Sequence, residues 1–260
     1  MITCITYADR KYKRAGKLNL ETALNNGASD VQLYGPQDVD FLFKVLHWKV
    51  YYGRYSAVKF KRRGAGYWIW KPYVIKKALG KMNKDDILIY SDACSVYVNS
   101  IKPLIETFKR DNLDLMVFSL TTKEKKYSKK DALILLNVDE DKYIETNQRM
   151  ATFVVLKNSD KSRTFVDEWL KYACDYRIIT DSKSRLGAEY SEFKENRHDQ
   201  TILSLLSKKM NIIEYRDPSQ YGNGTNWSED ILQRSQYPQI WYSTRNPQIY
   251  TYEKYLELLE

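Results

Sequence analysis

Apolar residues in the first part of the chain occur either in short continuous runs or at helical spacing. The continuous runs predict three strands, ITCITY (2–7), VQLY (31–34) and ILIY (87–90). ILIY is typical of a strand that is buried on both faces. Helical spacing predicts helices at 13–25, at about 39–52 and from Lys71-Pro72 onward, where a proline fits the first helical turn.

The same alternation continues to about residue 215. We expect strands at 113–120, 150–159 and 211–215, with helices at about 103–110, from Asn158 or Ser159 to Cys174, and after His198-Asp199-Gln200. We interpret residues 121–147 as a variable excursion from the fold and residues 216–248 as a surface stretch. Alternating strands and helices predict an α/β fold with a mostly parallel central sheet flanked by helices, in a single domain covering 1–260.

Positive charge is concentrated near the start of the chain. The net charge is +9, yet residues 1–84 hold 17 Lys and Arg against 5 Asp and Glu, a balance of +12, which leaves −3 for the rest. Such asymmetry indicates an anionic partner, either nucleotide phosphates, nucleic acid or a membrane surface. An ordinary solvated, lysine-rich face is the alternative.

Several protein classes lack their minimal signals. The start, MITCITYADRKYKR, is not typical of a signal peptide, and no run approaches the ~20 apolar residues that span a bilayer. Three widely spaced cysteines suggest no disulfide framework, so a reducing cytoplasm is the expected location. The chain contains neither GxxxxGK[ST] nor a GxGxxG that follows a strand, which disfavours kinases and dehydrogenases.

Asp92 follows the buried run ILIY directly, in the stretch Ser91-Asp92-Ala93-Cys94. A carboxylate here lies at the carboxyl edge of the sheet, where open α/β folds bind ligands. Asp92 could therefore hold a divalent cation against a pyrophosphate or bond a nucleotide sugar. Capping of a turn or of the next helix is the alternative.

Arg197-His198-Asp199-Gln200 opens a predicted helix and offers a base, a carboxylate and an amide within about one turn. Capping is the alternative interpretation, because Asp and Gln are common at helix starts. The other histidine, His47, lies beside Trp48 in a predicted helix, where we expect plain packing.

GAGYWIWKPY (64–73) combines backbone freedom, aromatic rings and charge. Lys71 at a helix start, reinforced by Arg62 and Arg63, predicts an anion site. Trp68 and Trp70 could stack on a sugar or base, or one of them could anchor the helix in the core. A single-stranded nucleic-acid channel would use the same residue types, but no nucleic-acid-binding motif accompanies them, so a non-catalytic polyanion binder is only the alternative function.

Three signatures occur in one order: RRGAGYWIWKPYVI leading to DDILIYSDAC, then QRMATFVVLKNS, then ENRHDQTILSLL. Together with ITYAD they resemble GT-A-type glycosyltransferases, and most closely small bacterial or viral enzymes of surface-polysaccharide synthesis with a GxGYWxWKP, DxD-like and RHDQ pattern. The resemblance covers most of residues 1–215. It implies a nucleotide-binding half (1–110) and an acceptor or catalytic half (111–260).

The resemblance also implies site residues. Thr6, Tyr7 and Ala8 would surround the base and ribose, while Asp92 takes the first position of the Asp-x-Asp motif. Cys94 stands at the second position, which puts an Mn²⁺ or Mg²⁺ site in doubt; Lys71, Arg62 and Arg63 could neutralise the diphosphate instead. Asp199, with Gln200 and His198 beside it, resembles the Asp-Gln pair that faces the anomeric carbon.

The resemblance implies a hexosyltransferase, an enzyme that transfers a sugar from a nucleotide-sugar donor. A UDP-linked sugar is the donor that we expect. The acceptor would be a glycan or lipid-linked molecule of a surface polysaccharide such as a capsule. We expect a cytoplasmic enzyme with peripheral contact to an anionic membrane and no specific nucleic-acid partner.

Overall fold

A computed structural model describes residues 1–52 and 63–257. Its strands are β1 Ile2–Tyr7, β2 Asp30–Tyr34, β3 Ile87–Ser91, β4 Ser95–Tyr97, β5 Leu115–Lys123, β6 Asn147–Arg149, β7 Phe153–Lys157, β8 Glu214–Tyr215 and β9 Trp241–Ser243. Its helices are α1 Lys13–Asn25, α2 Phe41–Leu46, α3 Trp48–Tyr51, α4 Gly64–Tyr67, α5 Trp70–Leu79, α6 Lys102–Arg110, α7 Lys130–Leu135, α8 Asp141–Ile144, α9 Asp160–Ala173, α10 Tyr176–Ile179, α11 Asp199–Lys209, α12 Glu229–Arg234 and α13 Tyr252–Leu256.

A seven-stranded central sheet has the order β2-β1-β3-β7-β5-β6, with β8 also pairing β5. β1 is parallel to both β2 and β3, and β5 is parallel to β8. β7 is antiparallel to β3 and to β5, so those two strands point the same way, and β6 runs against β5. The sheet is therefore mostly parallel, and the predicted α/β fold is confirmed.

Side chains of β3 alternate between two apolar layers. Leu88 and Tyr90 pack into the cluster that includes residues of α5, α9 and α11, while Ile87 and Ile89 face the cluster that includes α6. All four are at most 5% exposed. The prediction that ILIY is buried on both faces is confirmed, and the rigid strand holds Asp92 at its carboxyl end.

Two sequence predictions need correction. The helix expected at about 39–52 is interrupted at His47, whose φ of −109° and ψ of 31° separate α2 from α3. The stretch 216–248 is not only surface, because Trp227, Tyr237, Ile240 and Trp241 are at most 7% exposed and β9 pairs with β4. The excursion at 121–147 contains α7 and α8 and ends at the first residue of β6.

Residues 64–68, which are α4 and the residue after it, form a single turn of left-handed backbone. Gly64, Ala65, Gly66, Tyr67 and Trp68 all have positive φ, between 52° and 107°. A Cβ on Gly64 would lie 2.3 Å from ring carbons of Trp68. Left-handed non-glycine residues cost free energy and concentrate at functional sites, so this turn marks its surroundings for inspection. Within the described ranges, no helix is long and apolar enough to cross a membrane.

Candidate active site

A cavity of about 480 Å³ opens at the carboxyl ends of β1 and β3. Its wall includes Tyr7 at the end of β1, Asp92 just after β3, and Trp68 from the left-handed turn. Carboxyl ends of parallel strands are the common ligand site of α/β sheets, and ligand pockets have volumes of about 300–1,000 Å³. We call this space the larger cavity.

A second space of about 190 Å³, the smaller cavity, adjoins it. Three residues, Trp68, Asp92 and Thr152, line both cavities. The smaller cavity also takes in Lys71 and Asp199. The fold thus brings together three segments that the sequence analysis had selected separately.

Lys71 lies between two carboxylates. Its Nζ is 2.8 Å from Asp199 Oδ2 and 3.2 Å from Asp92 Oδ1, and it donates a hydrogen bond of 3.0 Å to the Ala151 carbonyl. Lys71 is 2% exposed and Asp199 4%, whereas the Asp92 side chain is 36% exposed. Asp92 also accepts a 2.7 Å hydrogen bond from the Tyr90 hydroxyl.

The protonation of this cluster follows from burial and pairing. Burial raises the pKa of Asp199 to about 6, against the opposing effect of the Lys71 ammonium. Burial acts to lower the pKa of Lys71, but the Asp199 and Asp92 carboxylates outweigh it and raise that pKa above its ordinary value. At neutral pH, Lys71 is therefore charged and Asp199 is mostly ionised.

His198 precedes α11 in a left-handed conformation, with φ of 56° and ψ of −118°. Its Nδ1 lies 2.7 Å from the Ile179 carbonyl, which makes Nδ1 the protonated nitrogen. Burial lowers the pKa of His198, so the ring is neutral at pH 7. The Trp68 ring stacks on it, with centroids 5.2 Å apart and planes at 24°. His198 therefore positions Trp68 and the start of α11.

The nitrogen and the oxygen of the Gln200 side-chain amide each form a hydrogen bond. Its Nε2 donates to Gln148 Oε1 at 2.8 Å, and its Oε1 accepts a 3.4 Å hydrogen bond from the Ala151 amide. Gln200 and His198 both line the smaller cavity. The two contacts fix the orientation of the Gln200 amide beside Asp199.

The other predicted site residues differ in burial and in whether they line the two cavities. Thr6 is fully buried and donates a 2.7 Å hydrogen bond to the Ser91 carbonyl, and neither Thr6 nor Ala8 lines the two cavities. Trp70 lines the larger cavity, but it is only 5% exposed and its ring stacks on Tyr7 with centroids 3.7 Å apart. Arg63 lines the smaller cavity but is paired with Asp181 and Glu195. Arg62 lies outside the described residues.

The larger cavity includes residues that the sequence analysis missed. Lys11 and Tyr12 lie just after β1, Thr152 lies before β7, and Ser243 and Arg245 come from the stretch near β9. Lys11 and Arg245 give this cavity two cations. The KYKR run after β1 was a usable signal for Lys11, whereas no local motif indicates Arg245. The cavity takes residues from both halves of the chain; the division at residue 110 stays a prediction.

The residues at the predicted metal position fit a divalent cation poorly. Burial, followed by the charge of Asp92, raises the pKa of the Cys94 thiol to about 12, and Mg²⁺ and Mn²⁺ prefer oxygen ligands to a neutral thiol. No group of three His, Cys, Asp or Glu residues suited to a metal occurs in ranges 1–52 and 63–257. We therefore derive no step through a metal.

A further cavity of about 720 Å³, the outer groove, lies beyond His198. It is lined by Trp48, Lys49, Tyr67, Tyr176, Lys183 and Arg185, among others. Tyr67 is the link, because its ring centroid lies 5.2 Å from that of His198. Asp181, which also lines the groove, lies 3.6 Å from His198 Nε2. The outer groove thus approaches His198, which also lines the smaller cavity.

Comparison with known proteins gives structural matches only. No protein family and no curated protein sequence matches the chain. The galactosyltransferase LgtC, solved with donor and acceptor sugar analogues, is 12% identical with a TM-score of 0.51, over 98% of this chain and 94% of LgtC.

The bifunctional glycosyltransferase WbbM is 11% identical with a TM-score of 0.50, over 94% of this chain. The match covers 46% of WbbM, so this chain spans about half of that protein. At these identities the likeness concerns the fold. This chain therefore shares its mixed α/β fold with LgtC and WbbM.

Proposed function

We propose that this protein is a glycosyltransferase that moves a sugar, of hexosyl type, from a nucleotide-sugar donor to a glycan or lipid-linked acceptor. The observation that carries the proposal is the pair of adjoining cavities that share Trp68, Asp92 and Thr152. The larger one has the volume and position of a nucleotide site. The smaller one contains a buried carboxylate, Asp199, and we expect a sugar that extends from the nucleotide to end beside it.

Each group has a role in the proposed reaction. Glycosyl transfer passes through an oxocarbenium-like state while negative charge builds on the departing diphosphate. Lys11 and Arg245 in the larger cavity are the cations that would meet this diphosphate. Asp199 would stabilise the positive charge at the anomeric carbon or take the proton of the acceptor hydroxyl.

Lys71 holds the side chain of Asp199 in place, and the next residue, Gln200, has an amide fixed by its own contacts. The Lys71 ammonium keeps the carboxylate ionised in a buried setting. The charged Lys71 also fixes Asp92, which borders both cavities. This arrangement supports a carboxylate that is oriented before the donor binds.

UDP is the donor nucleotide that we propose, in surface-polysaccharide synthesis on the cytoplasmic side of a membrane. These details rest on the sequence resemblance, and the structural likeness to LgtC and WbbM agrees with a sugar-transfer role.

Calorimetry with UDP, GDP, CDP and dTDP, followed by a screen of the matching nucleotide sugars for transfer or hydrolysis, tests the proposal. We expect one nucleoside diphosphate to bind, and Asp199→Asn to abolish transfer while its affinity for that nucleotide stays within about threefold. The absence of binding by all four at millimolar concentration would rule the function out. Full activity of Asp199→Asn would remove Asp199 from the mechanism.

A further inference from the structure

Helices α2 and α3 present an apolar surface that the described part of the chain leaves open. Phe41 is 78% exposed, Leu42 and Leu46 67%, and Val45 and Trp48 45%. Five of the thirteen large hydrophobic side chains that are exposed in the described ranges thus fall within eight residues. Single exposed apolar residues are ordinary, but a contiguous patch marks an interaction surface.

The same two helices have a second, buried side. Val50 and Tyr51 are at most 6% exposed and belong to the main apolar cluster, against which Phe43 also packs. The backbone of Tyr51 lies so close to the left-handed turn that a Cβ on Gly66 would be 3.0 Å from its carbonyl oxygen. The patch is therefore carried by elements that are anchored to the wall of the active site.

Positive charge predominates in the sequence from the patch onward, and Asp40 directly precedes Phe41. Residues 41–63 contain seven Lys and Arg and no Asp or Glu. Within the described chain, neither Lys44 nor Lys49 forms an ion pair with a carboxylate; Lys44 donates to the Pro36 carbonyl at 2.6 Å, and Lys49 is exposed. Phe, Leu and Trp beside unpaired lysines are the composition of helices that lie in a membrane interface.

We propose that Phe41–Tyr51 docks this protein on an anionic membrane surface. The five apolar side chains would enter the boundary between headgroups and acyl chains, while Lys44 and Lys49 meet lipid phosphates. A nucleic acid would use the cations but would leave Phe41, Leu42 and Leu46 in water, so the apolar content favours lipid. The helices are too short to span the bilayer, and the protein lies on the membrane.

Docking in this way orients the outer groove. Trp48 and Lys49 belong both to the docking helices and to the lining of that groove, which continues to Tyr67 near His198. The groove therefore opens at the level of the headgroups, with Lys183 and Arg185 further along its wall. On the proposed function, this geometry selects a lipid-linked acceptor that bears phosphate. The docking itself does not depend on that function.

Flotation of the purified protein with lipid vesicles tests the docking without any sugar substrate. One set of vesicles contains equal parts of phosphatidylglycerol and phosphatidylcholine, and the other phosphatidylcholine alone. We expect flotation with the anionic set, weakened about tenfold in the double variant Leu42→Ser/Leu46→Ser because less apolar area is buried. The matched control is Ile213→Ser/Leu232→Ser, whose parent side chains are 54% and 50% exposed elsewhere on the surface.

A second measurement reports insertion directly. Lipids with brominated acyl chains should quench tryptophan fluorescence on binding, and this quenching should be lost in Trp48→Phe, which keeps an apolar ring at the same position. Thermal unfolding of each variant verifies the fold, which substitutions at such exposed positions should leave intact.

Three results would overturn the proposal. One is no flotation with anionic vesicles, and another is flotation that the Leu42→Ser/Leu46→Ser variant retains in full. The third is a dimer in sedimentation velocity without lipid that the same variant dissociates, because a second copy of the chain would then cover the patch. Failure of nucleotide binding would affect the proposed function and leave the docking result standing.

Discussion

The ammonium of Lys71 lies 2.8 Å from the carboxylate of Asp199, and both groups are nearly inaccessible to solvent. Removing one partner of a buried ion pair leaves the other charge unpaired in a medium of low polarity. Asp92, at 3.2 Å from the same ammonium, adds a second carboxylate that would lose its partner. The pair therefore contributes both to stability and to the charge state of the site.

We expect Lys71→Met to lower the free energy of unfolding at pH 7 by about 3 kcal/mol. The matched control is Lys76→Met in the same helix, since Lys76 pairs with Asp167 at 2.7 Å with both side chains more than half exposed. Such a surface pair contributes less than about 1 kcal/mol. Urea unfolding of both variants measures the difference.

The cost of Lys71→Met should shrink as the pH falls from 8 toward 6 and stay constant below that, where Asp199 is protonated in both proteins. Without the ammonium, the pKa of Asp199 rises further, and the carboxyl group takes up a proton instead of remaining an unpaired charge. A cost that is the same at pH 5 and pH 8 would contradict an ionic interaction between the two groups.

The pH dependence of sugar transfer should report the ionisation of Asp199. Burial raises its pKa from 3.8 to about 6, and the proposed mechanism uses the carboxylate. Because the proton is lost as the pH rises, kcat/KM should increase through about pH 6 and level off above pH 7. Initial rates between pH 4.5 and 8 measure this increase, which is the acidic limb of the pH profile.

Gln200→Glu serves as the matched variant for that pH profile. A second carboxylate beside Asp199 would raise the pKa of the pair, so the limb should move to higher pH. A limb that stays near pH 6 in this variant would show that some other group controls the rate. Binding of the nucleotide, measured in parallel, separates loss of donor from loss of chemistry.

The strands of the sheet could be predicted from the sequence, but the side-chain contacts at the edge of the sheet could not. Periodic apolar runs predicted the strands that place Asp92 at the carboxyl end of β3, because burial on two faces leaves a local signature. The pairing of Lys71 with Asp199 has no such signature, since it joins one helix to the start of another helix far along the chain. The sequence predicts that Lys71 meets the diphosphate, and in the fold its ammonium lies between two carboxylates.

The left-handed turn was equally hidden. The glycines at 64 and 66 predict backbone freedom, but the space beside Gly64 is filled by the ring of Trp68. Ala65, Tyr67 and Trp68 adopt positive φ against their own preferences, which only the surrounding structure can impose. For the 216–248 stretch, the apolar residues around Trp241 were a usable signal that its Pro, Gly and Asn content obscured.

Gly64→Ala should displace the Trp68 ring from its stack on His198. The added Cβ would lie 2.3 Å from ring carbons of Trp68 and would sit on a backbone with φ of 56°. We expect a loss of about 2 kcal/mol in stability and weaker nucleotide binding, because Trp68 borders both cavities.

Gly80→Ala is the control for this substitution. Its Cβ would meet only backbone oxygens at 3.5 Å, and φ there is −65°, so stability should change by less than about 1 kcal/mol. Thermal unfolding and calorimetry with UDP compare the two. Equal behaviour of the two variants would mean that the Trp68 position does not depend on Gly64.

Lys11 and Arg245 are the cations that we expect to hold the donor diphosphate. Both line the larger cavity, and charge-assisted contacts to phosphate contribute about 1.5–3 kcal/mol each. Lys11→Ala and Arg245→Ala should each weaken UDP binding by about tenfold or more, while uridine affinity changes little. Lys17→Ala, an exposed substitution on α1, is the control. Equal losses for UDP and uridine would place the diphosphate elsewhere.

Removal of divalent cations tests the ligand set around Asp92. One carboxylate beside a protonated thiol of pKa about 12 is a weak site for Mg²⁺ or Mn²⁺, so the Kd for UDP with EDTA should stay within about threefold of the Kd with Mn²⁺. Cys94→Asp completes an Asp-x-Asp pair and should make UDP binding respond to Mn²⁺, since a second oxygen ligand then lies next to Asp92. If the wild-type Kd rises more than tenfold in EDTA and Asp92→Asn loses that response, Asp92 binds a cation together with the diphosphate, and the expectation of cation-independent donor binding is wrong.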